Sequence, residues 1–116
     1  TFYIAIENKS VKTDSTNKLY FSQHFSQSNG GHQVERISDF IDRSGRNGFL
    51  AVEFKRGRGK ARKAYMVPWS RVREAYEEGE TGLHLDEIRD FPEIFRDSED
   101  YDLTENMMEM FVESGA

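Results

Sequence analysis

Two short apolar runs, Phe49–Phe54 (FLAVEF) and Ala64–Pro68 (AYMVP), flank the stretch KRGRGKARK. Apolar runs of this length, rich in β-branched and aromatic residues, read as strands. The stretch between them carries too many cations and glycines for an element interior, so the pair predicts a hairpin with a basic tip. This hairpin constrains the rest because apolar residues are scarce. Leu, Ile, Val and Phe number 26 of 116 residues, just above the level at which a charged chain stays disordered. FLAVEF is therefore expected near the centre of a sheet, with nine Phe, five Tyr and one Trp as the large burial units.

The flanking segments alternate between strand and helix patterns. From Phe2 to Lys9, Phe2, Ile4 and Ile6 point one way, and Tyr3, Ala5, Glu7 and Lys9 the other. Residues 10–31 are polar with an aromatic patch (Tyr20, Phe21, Phe25), and they read as a loop closing at Asn29-Gly30-Gly31. Val34, Ile37, Phe40 and Ile41 recur at helical spacing from His32 to Arg43, and Gly45 stands where a helix would stop. A second helix is expected from a Ser70 cap to Glu78, with Val72, Ala75 and Tyr76 inward and Gly79 ending it. Beyond Thr81 the pattern weakens. Phe91-Pro92 breaks the chain, Arg96 to Asp102 reads as an acidic linker, and a last amphipathic helix runs from Thr104 to Glu113 with Met107, Met108, Met110 and Phe111.

Such a chain is expected to be an α/β protein with a mixed central sheet flanked by helices and an acidic C-terminal helical extension. Charge divides it in the same place. Residues 1–73 hold 14 Lys and Arg against 6 Asp and Glu, whereas residues 74–116 hold 2 against 15. The expected organisation is a core over 1–80 and an acidic extension over 81–116. A basic half suits a polyanion, and an acidic half repels one and fixes its orientation. The absence of cysteine excludes disulfides, thiolate metal sites and Cys nucleophiles, and it suits a reducing, cytoplasmic setting. No 18-residue apolar run and no signal-peptide pattern is present, so no membrane association is expected.

Two constellations carry candidate chemistry. Glu7-Asn8-Lys9 sets a carboxylate and an ammonium on one strand face, where the first suits a hard divalent cation and the second stabilises developing negative charge. The pattern is short, and in isolation an exposed cross-strand ion pair is its ordinary explanation. The second is the hairpin, where Lys55, Arg56, Arg58, Lys60, Arg62 and Lys63 lie within nine residues beside Gly57 and Gly59. Such a cluster neutralises phosphates without reading sequence, and Lys12 joins it as a DNA-binding candidate; a solvated turn is the alternative. His24 and His32 flank an Asn-Gly turn but lack a third ligand, so a zinc site is not expected. Tyr20 and Phe21 could stack on bases or be buried, and Trp69 reads as a core residue.

In order and spacing, I-E-N-K-S at 6–10, H-Q-V at 32–34, G-F-L-A-V-E-F at 48–54 and A-Y-M-V-P at 64–68 resemble one family. It is the Holliday junction resolvases of the PD-(D/E)XK nuclease superfamily, of the archaeal Hjc and bacterial RecU types. The resemblance spans roughly Thr1 to Tyr76. It implies a restriction-endonuclease-like fold and hydrolysis of phosphodiesters in branched DNA by a homodimer using Mg²⁺ or Mn²⁺. Carried over by position, Glu7 is a metal-binding carboxylate, Asn8 lends its carbonyl, Lys9 is the catalytic lysine, and Gln33 is the helix glutamine beside the site. The resemblance also implies a second metal-binding Asp on a preceding strand. Residues 1–6 contain no acid, so an upstream segment is expected to carry it, with Asp14, Asp39 and Asp42 as the candidates within the chain.

Overall fold

The structure is a computed structural model that describes residues 3–55, 63–97 and 100–102. In chain order the elements are β1 (Ile4–Lys12), β2 (Lys18–Tyr20), α1 (Phe21–His24), β3 (Gln27–Ser28), β4 (Gly31–His32), α2 (Gln33–Ser44) and β5 (Asn47–Lys55), followed by β6 (Lys63–Pro68), α3 (Trp69–Glu77), β7 (Gly82–His84), α4 (Leu85–Ile88), β8 (Glu93–Asp97) and β9 (Asp100–Asp102). This is a compact α/β fold. Its mixed sheet runs β1-β5-β6-β8-β9, with β1 parallel to β5 and the other pairs antiparallel. Two small ribbons, β2-β7 and β3-β4, sit beside it.

FLAVEF and AYMVP form the hairpin that the sequence predicts, in the register Phe49 opposite Pro68 through Phe54 opposite Lys63. Seven consecutive residues of β5, Gly48 to Phe54, are buried, as a strand flanked on both sides requires. One sheet face carries Val11, Leu50, Val52, Phe54, Tyr65 and Val67 and packs on the helices through Val34, Trp69, Val72, Ala75, Leu85 and Ile88. The opposite face carries Phe49, Ala51, Ala64, Met66 and Ile94, with Ile4 at its margin.

Helix α2 agrees with its sequence pattern and ends on Gly45 in the left-handed region at φ 69°. Two glycines permit close approach. A Cβ on Gly82 would lie 2.0 Å from the Leu19 carbonyl oxygen, and one on Gly48 would lie 2.2 Å from Ile41 Cδ1.

Four segments depart from their sequence reading. Arg96 to Asp102 is expected as an acidic linker, but Arg96 and Asp97 end β8 and Asp100–Asp102 forms β9, paired antiparallel with it. Residues 10–31 are not one loop: they complete β1 and form β2, α1, β3 and the start of β4, and they bury Val11, Leu19, Phe21 and Phe25. These elements are too short to show a period, and tertiary pairing makes them: Leu19 faces Leu83 across β2-β7, and the Phe21 N–H donates to the Thr81 carbonyl at 3.0 Å. Helix α3 starts at Trp69, with extended Pro68 as its N-cap, so Ser70 lies within the first turn and caps nothing. Burying Trp69 and bonding its indole outweighs a side-chain cap worth about 1 kcal/mol. Residues 82–94, grouped by charge with the acidic extension, pair with β2 and β6 and bury Leu83, Leu85, Ile88 and Ile94. The expected helix from Thr104 to Glu113 and the hairpin tip Arg56–Arg62 lie outside the described residues.

Candidate functional site

The two-residue period of β1 sends Glu7 and Lys9 to the face covered by the helices, while the Asn8 side chain is exposed on the other. Above that face α2 begins at Gln33, and the three side chains meet. Lys9 Nζ donates to Gln33 Oε1 at 2.9 Å, Gln33 Nε2 donates to Glu7 Oε1 at 3.2 Å, and Lys9 Nζ lies 3.4 Å from that same carboxylate oxygen. The partners fix the carboxamide: an ammonium can only donate and a carboxylate only accept, so Oε1 faces Lys9 and Nε2 faces Glu7. Residues separated by 24 and 26 positions thus form one triangle of charge-assisted bonds.

Neighbouring backbone holds the triangle in place. The Ser26 N–H donates to Gln33 Oε1 at 3.1 Å, and the Gln33 N–H donates to the Ser26 carbonyl at 2.8 Å. Lys9 Nζ also sits over the Phe25 ring, 4.8 Å from its centroid. His32 anchors the start of α2. Its Nδ1 accepts from the Val34 N–H at 3.1 Å, so the proton resides on Nε2, which donates to the Phe21 carbonyl at 2.9 Å. Glu35 completes a capping box by accepting from the His32 N–H at 3.2 Å. The Tyr76 phenol donates to the same Glu35 oxygen at 2.9 Å; burial and then that carboxylate push the phenol's pKa up. Phe25, Ser26 and His32 escape sequence reading because their parts depend on how residues 21–33 fold back on β1. The residue types alone give no such signal.

A groove of about 300 Å³ opens between β1 and α2, with Glu7, Gln33 and Arg36 on its polar side and Ile6, Ile37 and Phe40 on its apolar side. Glu7 remains 31% exposed in this groove, whereas Lys9 does not line it and is 16% exposed. A hard divalent cation fits this carboxylate: Oε2 has no hydrogen-bond partner among the described residues, and Mg²⁺ commonly takes only one or two carboxylates beside water and phosphate oxygens. The described residues contain no group of three or more His, Cys, Asp or Glu that could hold a metal ion. Asp42 takes both terminal nitrogens of Arg73 at 2.8 Å, Asp39 pairs with Arg43 at 2.7 Å, and Asp14 lies in the turn after β1 beside a different groove.

At the far end of β1, Lys12 and Lys55 are exposed and stand opposite each other in the β1-β5 register, and exposed Lys63 begins β6. These three cations gather at one end of the sheet, about 16 Å along the strand from Glu7 by the rise of five residues. Arg56, Arg58, Lys60 and Arg62 lie outside the described residues.

Other candidates are structural. Phe21 and Trp69 are buried, and the Trp69 indole N–H donates to Ser38 Oγ at 2.9 Å. Both His32 nitrogens are used internally, and His24 Nδ1 accepts from the Tyr20 N–H at 2.9 Å. Arg71 joins α3 to α4 through Glu87 at 2.9 Å and also contacts Glu74 and Glu80; the Glu87 bond raises its pKa.

No helix among the described residues is long and apolar enough to cross a membrane. Comparison with known proteins finds no matching family model, no matching curated protein and no matching solved structure.

Proposed function

We propose that this chain carries the catalytic face of a divalent-metal-dependent DNA endonuclease that hydrolyses phosphodiesters in branched or duplex DNA. The observation that carries the reading is the convergence of Lys9 with Glu7 and Gln33, the latter two lining an open groove, on the sheet that gathers Lys12, Lys55 and Lys63 at one end. The resemblance to Holliday junction resolvases favours four-way junctions as substrate and a restriction-endonuclease-like fold. It also favours a cytoplasmic homodimer, whose two-fold axis would match the two equivalent strands of a junction.

In this reading Glu7 and the Asn8 carbonyl would hold Mg²⁺ or Mn²⁺. When bound, that ion polarises the phosphate and lowers the pKa of its water. Lys9 directs its ammonium at the non-bridging phosphate oxygens, where charge builds. Gln33 fixes the distance between Lys9 and Glu7, so that neither collapses fully onto the other. A second carboxylate would arrive on a strand pairing with the outer edge of β1, which has a single neighbour, β5, among the described residues. Lys12, Lys55, Lys63 and the basic hairpin supply phosphate contacts that position the duplex.

A nuclease-like module that binds DNA without cutting it is the second reading. Nicking of a synthetic four-way junction by the full-length protein with Mg²⁺ separates the two. Metal-dependent nicking lost in Glu7→Ala supports the enzyme, and tight binding without nicking supports the module.

A further inference from the structure

A second groove, of about 470 Å³, opens beyond the end of β1, between the turn 13–17 and the side chains of Tyr20 and Gln23. Every side chain that lines it bears oxygen or nitrogen, and Asp14 is the one charge among them. Such a groove lacks the apolar walls of a small-molecule site and offers hydrogen bonds along its length. The turn is fixed to the sheet. The Thr13 N–H donates to the Lys55 carbonyl and the Thr16 N–H to the Lys12 carbonyl, both at 3.1 Å. The hydroxyls of Thr13, Ser15 and Thr16 also donate to backbone carbonyls. The side chains of Asn17, Tyr20 and Gln23 have no hydrogen-bond partner among the described residues, so their donors are free to meet a ligand.

The groove shares a sheet face with the candidate site. Tyr20 and Gln23 come from β2 and α1, whose Leu19 and Phe21 are buried in one cluster with Val11 of β1, and the two-residue period puts Val11 on the side of Lys9 and Glu7. Phe25, next after α1, carries Lys9 Nζ over its ring at 4.8 Å. The end of β1 lies three residues past Lys9. That is about 10 Å, or about three nucleotides of one DNA strand at roughly 3.4 Å of axis each. Cations stand nearby: Lys18 Nζ is 5.9 Å from the Tyr20 ring centroid, and exposed Lys12 and Lys55 occupy the strand ends to which the turn is bonded.

We infer that Asn17, Tyr20 and Gln23 hold the sugar-phosphate backbone of a DNA strand through uncharged hydrogen bonds, about three nucleotides from Lys9. The inference rests on the proposed DNA-binding role and adds to it a subsite that tracks the strand away from the site. Carboxamides and a phenol donate to non-bridging phosphate oxygens, and contacts of this kind fix register and orientation without reading sequence. A neutral donor releases no counterion, so it adds affinity that salt does not screen, unlike the lysines beside it. Asp14 is exposed in the same groove. Its charge opposes a phosphate and limits the grip.

The probe is a synthetic four-way junction, titrated with the intact protein in the absence of metal and followed by fluorescence anisotropy over a salt series. Omitting metal keeps binding separate from nicking. Asn17→Ala, Tyr20→Phe and Gln23→Ala combined should weaken binding about 10-fold, with the slope of log affinity against log salt unchanged. Asp14→Asn should tighten binding. Affinity equal to the parent's in either variant overturns the inference. So does a loss in the triple variant that comes with a shallower slope, because that assigns the effect to the neighbouring cations. In the parent, the side-chain amide NMR signals of Asn17 and Gln23 should shift when a short DNA duplex is added, which tests the contact without any substitution; stationary signals overturn it. The DNA-binding role is separable from the groove. If Lys12→Ala with Lys55→Ala weakens binding and the triple variant does not, the role stands and the groove falls. If the parent binds no junction at any salt, both fall.

Discussion

Lys9 and Gln33 stand 24 positions apart and meet at 2.9 Å, ammonium to carboxamide oxygen. The bond holds a flexible four-carbon stem in one place, and its partner simultaneously grips Glu7. A lysine so held is oriented in advance, which in the proposed reading is the condition for stabilising charge without reorganisation.

Glu7→Ala and Lys9→Ala should each abolish metal-dependent nicking and leave the far-ultraviolet circular dichroism unchanged, since both side chains lie at the margin of the core. Gln33→Ala should reduce nicking by roughly 10–100-fold, the scale for residues that orient others. Full activity in Lys9→Ala would remove the lysine from the mechanism.

DNA affinity should depend on the basic end of the sheet. Lys12→Ala with Lys55→Ala should weaken binding to all sequences alike and reduce the slope of log affinity against log salt by about 0.9 per lost phosphate contact. Arg58→Ala, Lys60→Ala and Arg62→Ala together should act in the same direction. A slope that stays constant in both variants would mean that the cluster is a solvated turn.

The Trp69–Ser38 bond joins α3 to α2 in a buried setting. Ser38→Ala leaves the indole N–H without its acceptor and should cost about 1–3 kcal/mol in urea unfolding. Gly82→Ala should cost about as much or more, because its Cβ would sit 2.0 Å from the Leu19 carbonyl oxygen and force β2 from β7. A midpoint within error of the parent in either variant would contradict the contact concerned.

Asp42 is held below its ordinary value of 3.8, first by its hydrogen bond to Arg73 and then by that guanidinium's charge, against a desolvation that raises it. A depressed carboxyl stabilises the fold above its unfolded pKa and loses that contribution as pH falls through its folded pKa. Asp42→Asn should therefore be less stable than the parent at neutral pH, and the difference should vanish well below pH 3.8. The effect will be small because the pair is exposed. A difference constant from pH 7 to 2 would assign it to packing instead.

The hairpin is legible in sequence because two uninterrupted apolar runs flank a basic, glycine-rich stretch, and α2 because it repeats a helical period and ends on Gly45. The shared face of Glu7 and Lys9 follows from the two-residue period alone. Their meeting with Gln33 does not; family resemblance placed it near the site, and the distances come from folding α2 over β1. Residues 18–32 were illegible as structure because their two- to four-residue elements exist through partners far along the chain, Leu83 and Thr81 among them. Ser70 misled for the opposite reason. A good local cap lost to the burial of its neighbour Trp69.

The parallel pairing of β1 with β5 has a kinetic consequence. β5 and β6 are joined by a short connection and can zip early, but Ile4 must find Asn47 across more than forty intervening residues. Non-local closure of this kind comes slowly, after local structure has begun to compensate its entropy. The strand bearing Glu7 and Lys9 is thus expected to join late in folding. At the sheet's edge it can also detach while the hairpin core stays intact. A half-folded chain would hold the β5-β6 pair before Glu7 and Lys9 meet Gln33, so the proposed function would arrive only with the final strand.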